Sequence, residues 1–199
     1  MADADAPVPE RLLDAALEVA AMHGLNRLAV GDVAKRAGLS RPTLYRHFAP
    51  RDELVAQMVR REAGRIVEQV IAAAERHDDP FDSLYDAILT ALHVLRGHPL
   101  LDRLLTTEPE SLLPLLTTEG SPAMSQVRAV VELLVAERAP AAVGADPVAL
   151  RRFADVVTRL IISYAVSAPD DPPEVVAHYL SMFLIPDVAN DAIAAEATR

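Results

Sequence analysis

Val30-Gly-Asp-Val-Ala-Lys-Arg-Ala-Gly-Leu-Ser-Arg-Pro-Thr-Leu-Tyr-Arg-His-Phe48 reads as two short helices joined by a tight turn. Val33, Ala34 and Ala37 offer a small apolar face for a second helix to cross. Gly38 tolerates the left-handed backbone that ends a helix, and Leu39 can tuck under the corner. Ser40 can accept a hydrogen bond from the free amides of the next helix, which therefore starts at Arg41. Pro42 falls in its first turn, where a missing amide hydrogen costs nothing and the fixed φ favours helix entry. Leu44 and Phe48, four apart, share one face and are assigned to the core.

Left outside are Arg41, Thr43, Tyr45, Arg46 and His47. These supply a fork for a guanine edge, hydroxyls for phosphate oxygens or a thymine methyl, and an imidazole for phosphate. A solvated face on an ordinary bundle would look similar, and charge separates the two readings. From Arg27 to Arg51 there are six basic residues against one acid, Asp32, so the window carries +5 while the whole chain is −10. A basic island in an acidic chain is the electrostatic footprint of a compact DNA-reading module, and the acidity elsewhere argues against a nonspecific nucleic-acid coat.

The segment Arg11-Leu-Leu-Asp-Ala-Ala-Leu-Glu-Val-Ala, then His23-Gly24, the two short helices, and Arg51-Asp-Glu-Leu54 together resemble the TetR family of bacterial repressors over about residues 8 to 60. The resemblance implies an all-α homodimer with two DNA-reading heads and a ligand pocket in each larger domain. By motif position Arg41, Pro42, Thr43, Tyr45 and His47 look like the DNA-contacting set. Arg51 takes the place of the lysine that touches phosphate at the start of the fourth helix in such proteins.

Two positions depart from that pattern. The family commonly has Ser or Thr before its second helix and often a basic residue two places later; here stand Ala29 and Gly31. Losing a side-chain cap costs about 1 kcal/mol of local helix stability. Weaker backbone anchoring is expected, offset by Arg41, Arg46 and Arg51, and Gly31→Arg is expected to tighten operator binding. The acidic arm, with Asp3, Asp5 and Glu10, cannot grip a minor groove as basic arms do.

A length of 199 residues with 51% apolar content is ample for a core in one or two small domains. The absence of cysteine excludes thiolate zinc sites, disulfides and cysteine catalysis. No basic-then-apolar signal opens the chain, and the strongly apolar stretch around Leu160 to Val166 is too short to span a bilayer. A cytoplasmic protein without membrane contact is the expectation.

Beyond the head, leucine, alanine and valine recur at three and four between proline punctuation, and no alternating strand pattern appears. Helices are predicted near 8–23, 51–76, 80–96, 98–107, 122–138, 147–167 and 172–185. With the two short ones that makes about nine. The expected domains are an arm at 1–7, a helix-turn-helix head at 8–50, a ligand-binding and dimerisation domain at 51–186, and a frayed tail at 187–199. The helix from 51 should link the two regions.

Leu104-Leu-Thr-Thr-Glu108 recurs as Leu115-Leu-Thr-Thr-Glu119. Pro109 and Pro114 break any continuous helix through both copies. Chance similarity in a leucine-rich stretch and a hinged lid, with leucines inward and glutamates rimming a pocket mouth, both fit.

A pocket needs apolar lining and a few converging polar groups. Polar candidates are His93, Arg96, Arg103, Gln126, Arg128, Thr158, Arg159 and Tyr164; the apolar lining is expected from Leu100, Leu104, Met124, Val127 and Ile162. Each polar candidate also has an ordinary explanation as a satisfied core group or a partner in an ion pair. Only six aromatics lie outside the head, so stacking a planar polycyclic ligand would be hard and an aliphatic or acyl-bearing effector is favoured. The last two helices are unusually apolar, and Val156, Leu160, Tyr164, Val176, Tyr179 and Phe183 are expected at a homodimer interface, with a wholly internal core as the alternative.

An enzyme finds little support. There is no Gly-rich phosphate loop, paired-histidine metal helix or Gly-x-Ser-x-Gly elbow, and Asp82 with Asp86 reads as a solvated edge. The favoured reading is a homodimeric, ligand-responsive repressor of a palindromic DNA operator, needing no cofactor or metal and released by an apolar small molecule. The competitor is a ligand- or protein-binding interaction module that has lost specific DNA binding.

Overall fold

The structure is a computed structural model and describes residues 6–110, 122–138, 146–167 and 170–185; among them every regular element is a helix. They are α1 (Val8–His23), α2 (Val30–Arg36), α3 (Arg41–His47), α4 (Arg51–Ala74), α5 (Pro80–Arg96), α6 (Pro99–Thr107), α7 (Pro122–Arg138), α8 (Pro147–Val166) and α9 (Pro173–Leu184). Five of them, α5 to α9, begin on proline, where the ring's fixed φ suits a helix start and no amide partner is lost. The predicted ends hold to within two residues. Residues 1–5 of the arm expected at 1–7, the second Leu-Leu-Thr-Thr-Glu copy at 115–119 and the tail at 187–199 lie outside the described residues.

The chain forms two compact units, one of Met1–Gly64 with Gly97–Ala123, the other of Arg65–Arg96 with Met124–Arg199. The first half of α4 therefore belongs to one unit and its second half to the other.

In the first unit α1 buries Leu12, Leu13, Ala15, Ala16, Val19 and Ala20, a stripe at helical spacing. It meets Val33 and Ala34 of α2, Leu44 of α3 and Leu54 and Met58 of α4. Each large side chain removed from water there contributes roughly 1.5–3 kcal/mol. Leu100 and Leu104 of α6, expected to line a ligand pocket, are buried in this core. Glu108, expected at a solvent-facing rim, caps α6 and is only 7% exposed. Its Oε2 accepts a hydrogen bond from the Asn26 amide at 3.1 Å, in the loop between α1 and α2. Gly24, at φ 86°, leaves the space that this carboxyl occupies.

Polar ties complete the unit. Arg61 of α4, with a side chain 13% exposed, donates to Glu10 at 2.9 Å, Asp14 at 2.7 Å and Glu62 at 3.2 Å. Three carboxylates around one guanidinium bind α1 to α4 and balance a charge that would be costly to bury alone.

In the second unit α5, α8 and α9 bury Ile88, Leu92, Val157, Ile161, Val176, Ala177, Leu180 and Leu184 together, with Val131 of α7 packed against them. Ser83 donates to the Ala74 carbonyl at 2.9 Å, tying the start of α5 to the end of α4.

Candidate nucleic-acid interface

The turn between α2 and α3 is built as its residues dictate. Gly38 adopts φ 68°, and the Leu39 amide donates back to the Ala34 carbonyl at 2.8 Å, closing α2. Leu39 packs against the core. Ser40 has extended backbone and its Oγ accepts from the Thr43 amide at 3.2 Å, so α3 begins with a true side-chain cap. Leu44 and Phe48 are buried, which locks the rotation of α3 about its axis. At the start of α2 the Ala29 side chain makes no cap, as the sequence predicts.

With that rotation set, Arg41, Pro42, Tyr45 and Arg46 are exposed and Thr43 and His47 half-buried, all on the short helix. Tyr45 is 53% exposed, a large side chain left in water on a helix whose other face is sealed. The Thr43 hydroxyl lies 2.8 Å from Ser40 Oγ.

The basic residues divide into two groups. Arg36 pairs with Glu18, and Arg11 donates to the Ala37 carbonyl at 2.8 Å. Arg51 gives its Nε to the Leu28 carbonyl at 2.9 Å, one terminal nitrogen to the Leu25 carbonyl and the other to Asp52 at 3.2 Å. Expected at phosphate, Arg51 thus has every nitrogen engaged within the protein, holding the loop before α2 against the start of α4. The side chains of Arg27, Lys35, Arg41 and Arg46 form no ion pair or hydrogen bond among the described residues. Sequence reasoning counted Arg27 and Lys35 as charge without giving them a contact; exposure and lack of a partner single them out.

The residues expected at an effector pocket are divided between the two units. Leu100 and Leu104 belong to the first unit, and His93 is on the surface of α5, 3.4 Å from Glu174. Arg96 donates to the Tyr164 carbonyl at 3.0 Å. Val127 and Ile162 are half-buried; Met124 lies in α7, its side chain outside the described residues. Arg128 and Arg159 pair with Glu132 and Asp155 one helical turn away. Thr158 is 2% exposed, and its Oγ1, like Nε of Arg96 and Nε of Arg103, is buried without a partner among the described residues.

Five of the six residues expected at a dimer interface share one feature of the surface. Leu160, Tyr164, Val176, Tyr179 and Phe183 line one apolar groove of about 640 Å³ on α8 and α9. Tyr179 is 68% and Phe183 73% exposed, and Val156 of α8 is also exposed. Among the described residues no helix is long and apolar enough to cross a membrane, and no group of three or more His, Asp or Glu could hold a metal ion.

A capped helix-turn-helix on an all-α chain, presenting unpaired cations and an exposed tyrosine from its second helix, defines a helix-turn-helix transcription regulator. Residues 12–58 match the model of the bacterial regulatory proteins of the tetR family, and residues 79–186 that of the bacterial tetracyclin repressor C-terminal domain. The chain belongs to the TetR family. It is 29% identical over 183 residues to the HTH-type transcriptional regulator AlkX of Mycobacterium tuberculosis, covering 89% of this chain and 83% of that one. It is 33% identical over 98 residues to two uncharacterized HTH-type regulators of the same species, spanning about half the length of each. Its fold is similar to that of AlkX from Dietzia sp., a TetR family repressor implicated in biodegradation of n-alkanes (TM-score 0.70, 23% identity, 95% of this chain and 98% of that one). FadR of Bacillus subtilis in complex with stearoyl-CoA is also similar (TM-score 0.62, 16% identity, 88% and 96%).

Proposed function

We propose that the protein acts in the cytoplasm as a homodimeric repressor of a palindromic operator, released by an apolar, aliphatic or acyl-bearing small molecule. The observation that carries this reading is the face of α3. Arg41, Thr43, Tyr45, Arg46 and His47 stand outward on a helix whose rotation is held by buried Leu44 and Phe48. Two such helices, about 34 Å apart in a dimer, would enter successive major grooves. The apolar groove on α8 and α9 supports the dimer, since large aromatic side chains left in water this way mark an interface.

For the effector, the scarcity of aromatics, together with the Thr158 hydroxyl and Arg96 Nε of the second unit, both buried without a partner among the described residues, suits an aliphatic chain with few polar contacts. The similar proteins point the same way: AlkX of Dietzia sp. is implicated in biodegradation of n-alkanes, and FadR of Bacillus subtilis is in complex with stearoyl-CoA. Release is then population shift: an effector acts only through its differential affinity for operator-competent and incompetent conformers. α4, shared by both units, is the element whose displacement would couple the two.

The test is selection of bound duplexes from a randomised DNA pool at physiological salt, with Tyr45→Ala run in parallel. An enriched palindrome, lost in the variant, supports the reading. No enrichment by an intact dimer overturns it and favours an interaction module.

A further inference from the structure

Gly31 stands in the first turn of α2, and the space its missing side chain leaves is filled by Arg41 of α3. A Cβ at residue 31 would lie 2.7 Å from Arg41 Cζ and 2.8 Å from Nε, and closer still to one terminal nitrogen. The guanidinium is therefore laid against the backbone of α2 and does not run out along α3. No hydrogen bond or ion pair among the described residues holds it there. Its place is set by contact with a backbone that carries no side chain.

In a helix-turn-helix the first helix of the pair crosses the DNA backbone while the first residues of the second meet base edges. A cation at the start of α3 would ordinarily be counted with the base readers. Folded over Gly31, the Arg41 charge sits instead with the helix that faces phosphate, on the side where Ala29 supplies no polar side chain. We infer that Gly31 is a positioning residue: its missing side chain seats Arg41 over α2 as a contact to the DNA backbone. Base reading is left to Thr43, Tyr45, Arg46 and His47. The assignment rests on the operator-binding function proposed above. It also removes the gain expected of Gly31→Arg, because a side chain there displaces one cation to introduce another.

The experiment measures affinity for the selected duplex between 50 and 200 mM salt. It uses wild type, Gly31→Ala, Arg41→Ala and the double variant, on the selected sequence and on a panel of its single-base changes. Losing one phosphate contact lowers the salt slope by about 0.9, so the advantage of wild type over Arg41→Ala shrinks about 3.5-fold across that range. Arg41→Ala is expected to weaken every duplex of the panel by the same factor and leave their ranking intact. Gly31→Ala is expected to show the same lowered slope, and to add nothing in the Arg41→Ala background. Alanine is the better helix former and the crowded atoms are the mobile end of a side chain, so the melting temperature of Gly31→Ala should hold or rise, separating lost binding from lost folding.

Three results overturn the assignment while leaving the regulator in place: Gly31→Ala binding like wild type, Gly31→Ala losing as much with Arg41 absent, or Arg41→Ala relaxing preference at one base pair with an unchanged slope. Failure of wild type to enrich any duplex overturns the operator-binding function and this assignment with it.

Discussion

Replacing Gly24 by alanine tests how the end of α6 is fastened to the reading head. Gly24 closes α1 at φ 86° and ψ 166°, a region essentially reserved for glycine, and a side chain there costs roughly 1–3 kcal/mol in backbone strain alone. The new Cβ would also lie 2.9 Å from Glu108 Oε2 and nearer to Oε1 and Cδ, so the carboxyl must leave. With it goes the charge-assisted bond from the Asn26 amide, worth about 1.5–3 kcal/mol. Together these give a loss of about 2.5–6 kcal/mol. Gly38→Ala is the control: φ there is 68°, but the nearest atom, on Arg11, would be 3.6 Å away, so only the left-handed backbone is penalised, at roughly 1–2 kcal/mol. Hydrogen exchange of the α1 segment from Leu12 to Ala20 reads the opening of this unit. Gly24→Ala should accelerate it by roughly two to four orders of magnitude where reclosing is fast. In a Glu108→Ala background the added cost of Gly24→Ala should fall to the backbone part, about 1–3 kcal/mol. An identical cost in both backgrounds, or one no larger than that of Gly38→Ala, would refute the fastening.

Arg61→Met leaves Glu10, Asp14 and Glu62 facing one another without their shared cation, and urea unfolding should show a loss of about 3 kcal/mol; a variant as stable as wild type would mean that the cluster holds nothing. The double variant Tyr179→Glu with Phe183→Glu places charge on the groove of α8 and α9, and sedimentation at micromolar concentration should find a monomer with unchanged helical content. A persistent dimer would move the interface elsewhere.

The sequence by itself determined the helix-turn-helix. The turn at Gly38, the cap from Ser40, the proline in the first turn of α3 and the buried pair Leu44 and Phe48 are written within one or two helical turns of one another. Local backbone preference and four-residue spacing therefore decide them. The all-α class and most helix ends follow from the same short-range signals, as does the convergence of Leu160, Tyr164, Val176, Tyr179 and Phe183, which needs only that two apolar helices pack side by side. Tertiary structure alone decided which partner each remaining side chain meets. Leu100 and Leu104 carry the same pattern whether they face an effector or the head, and only the path of the chain put them in the head. His93 lies on an apolar helix yet faces outward to Glu174, and Arg51 turned to the carbonyls of Leu25 and Leu28. Glu108 meets Asn26 across 82 residues and Arg61 meets Glu10 across 51, separations over which no periodicity or propensity carries information. Such contacts are chosen by the summed burial and charge balance of the whole unit, which exists only once the helices have packed.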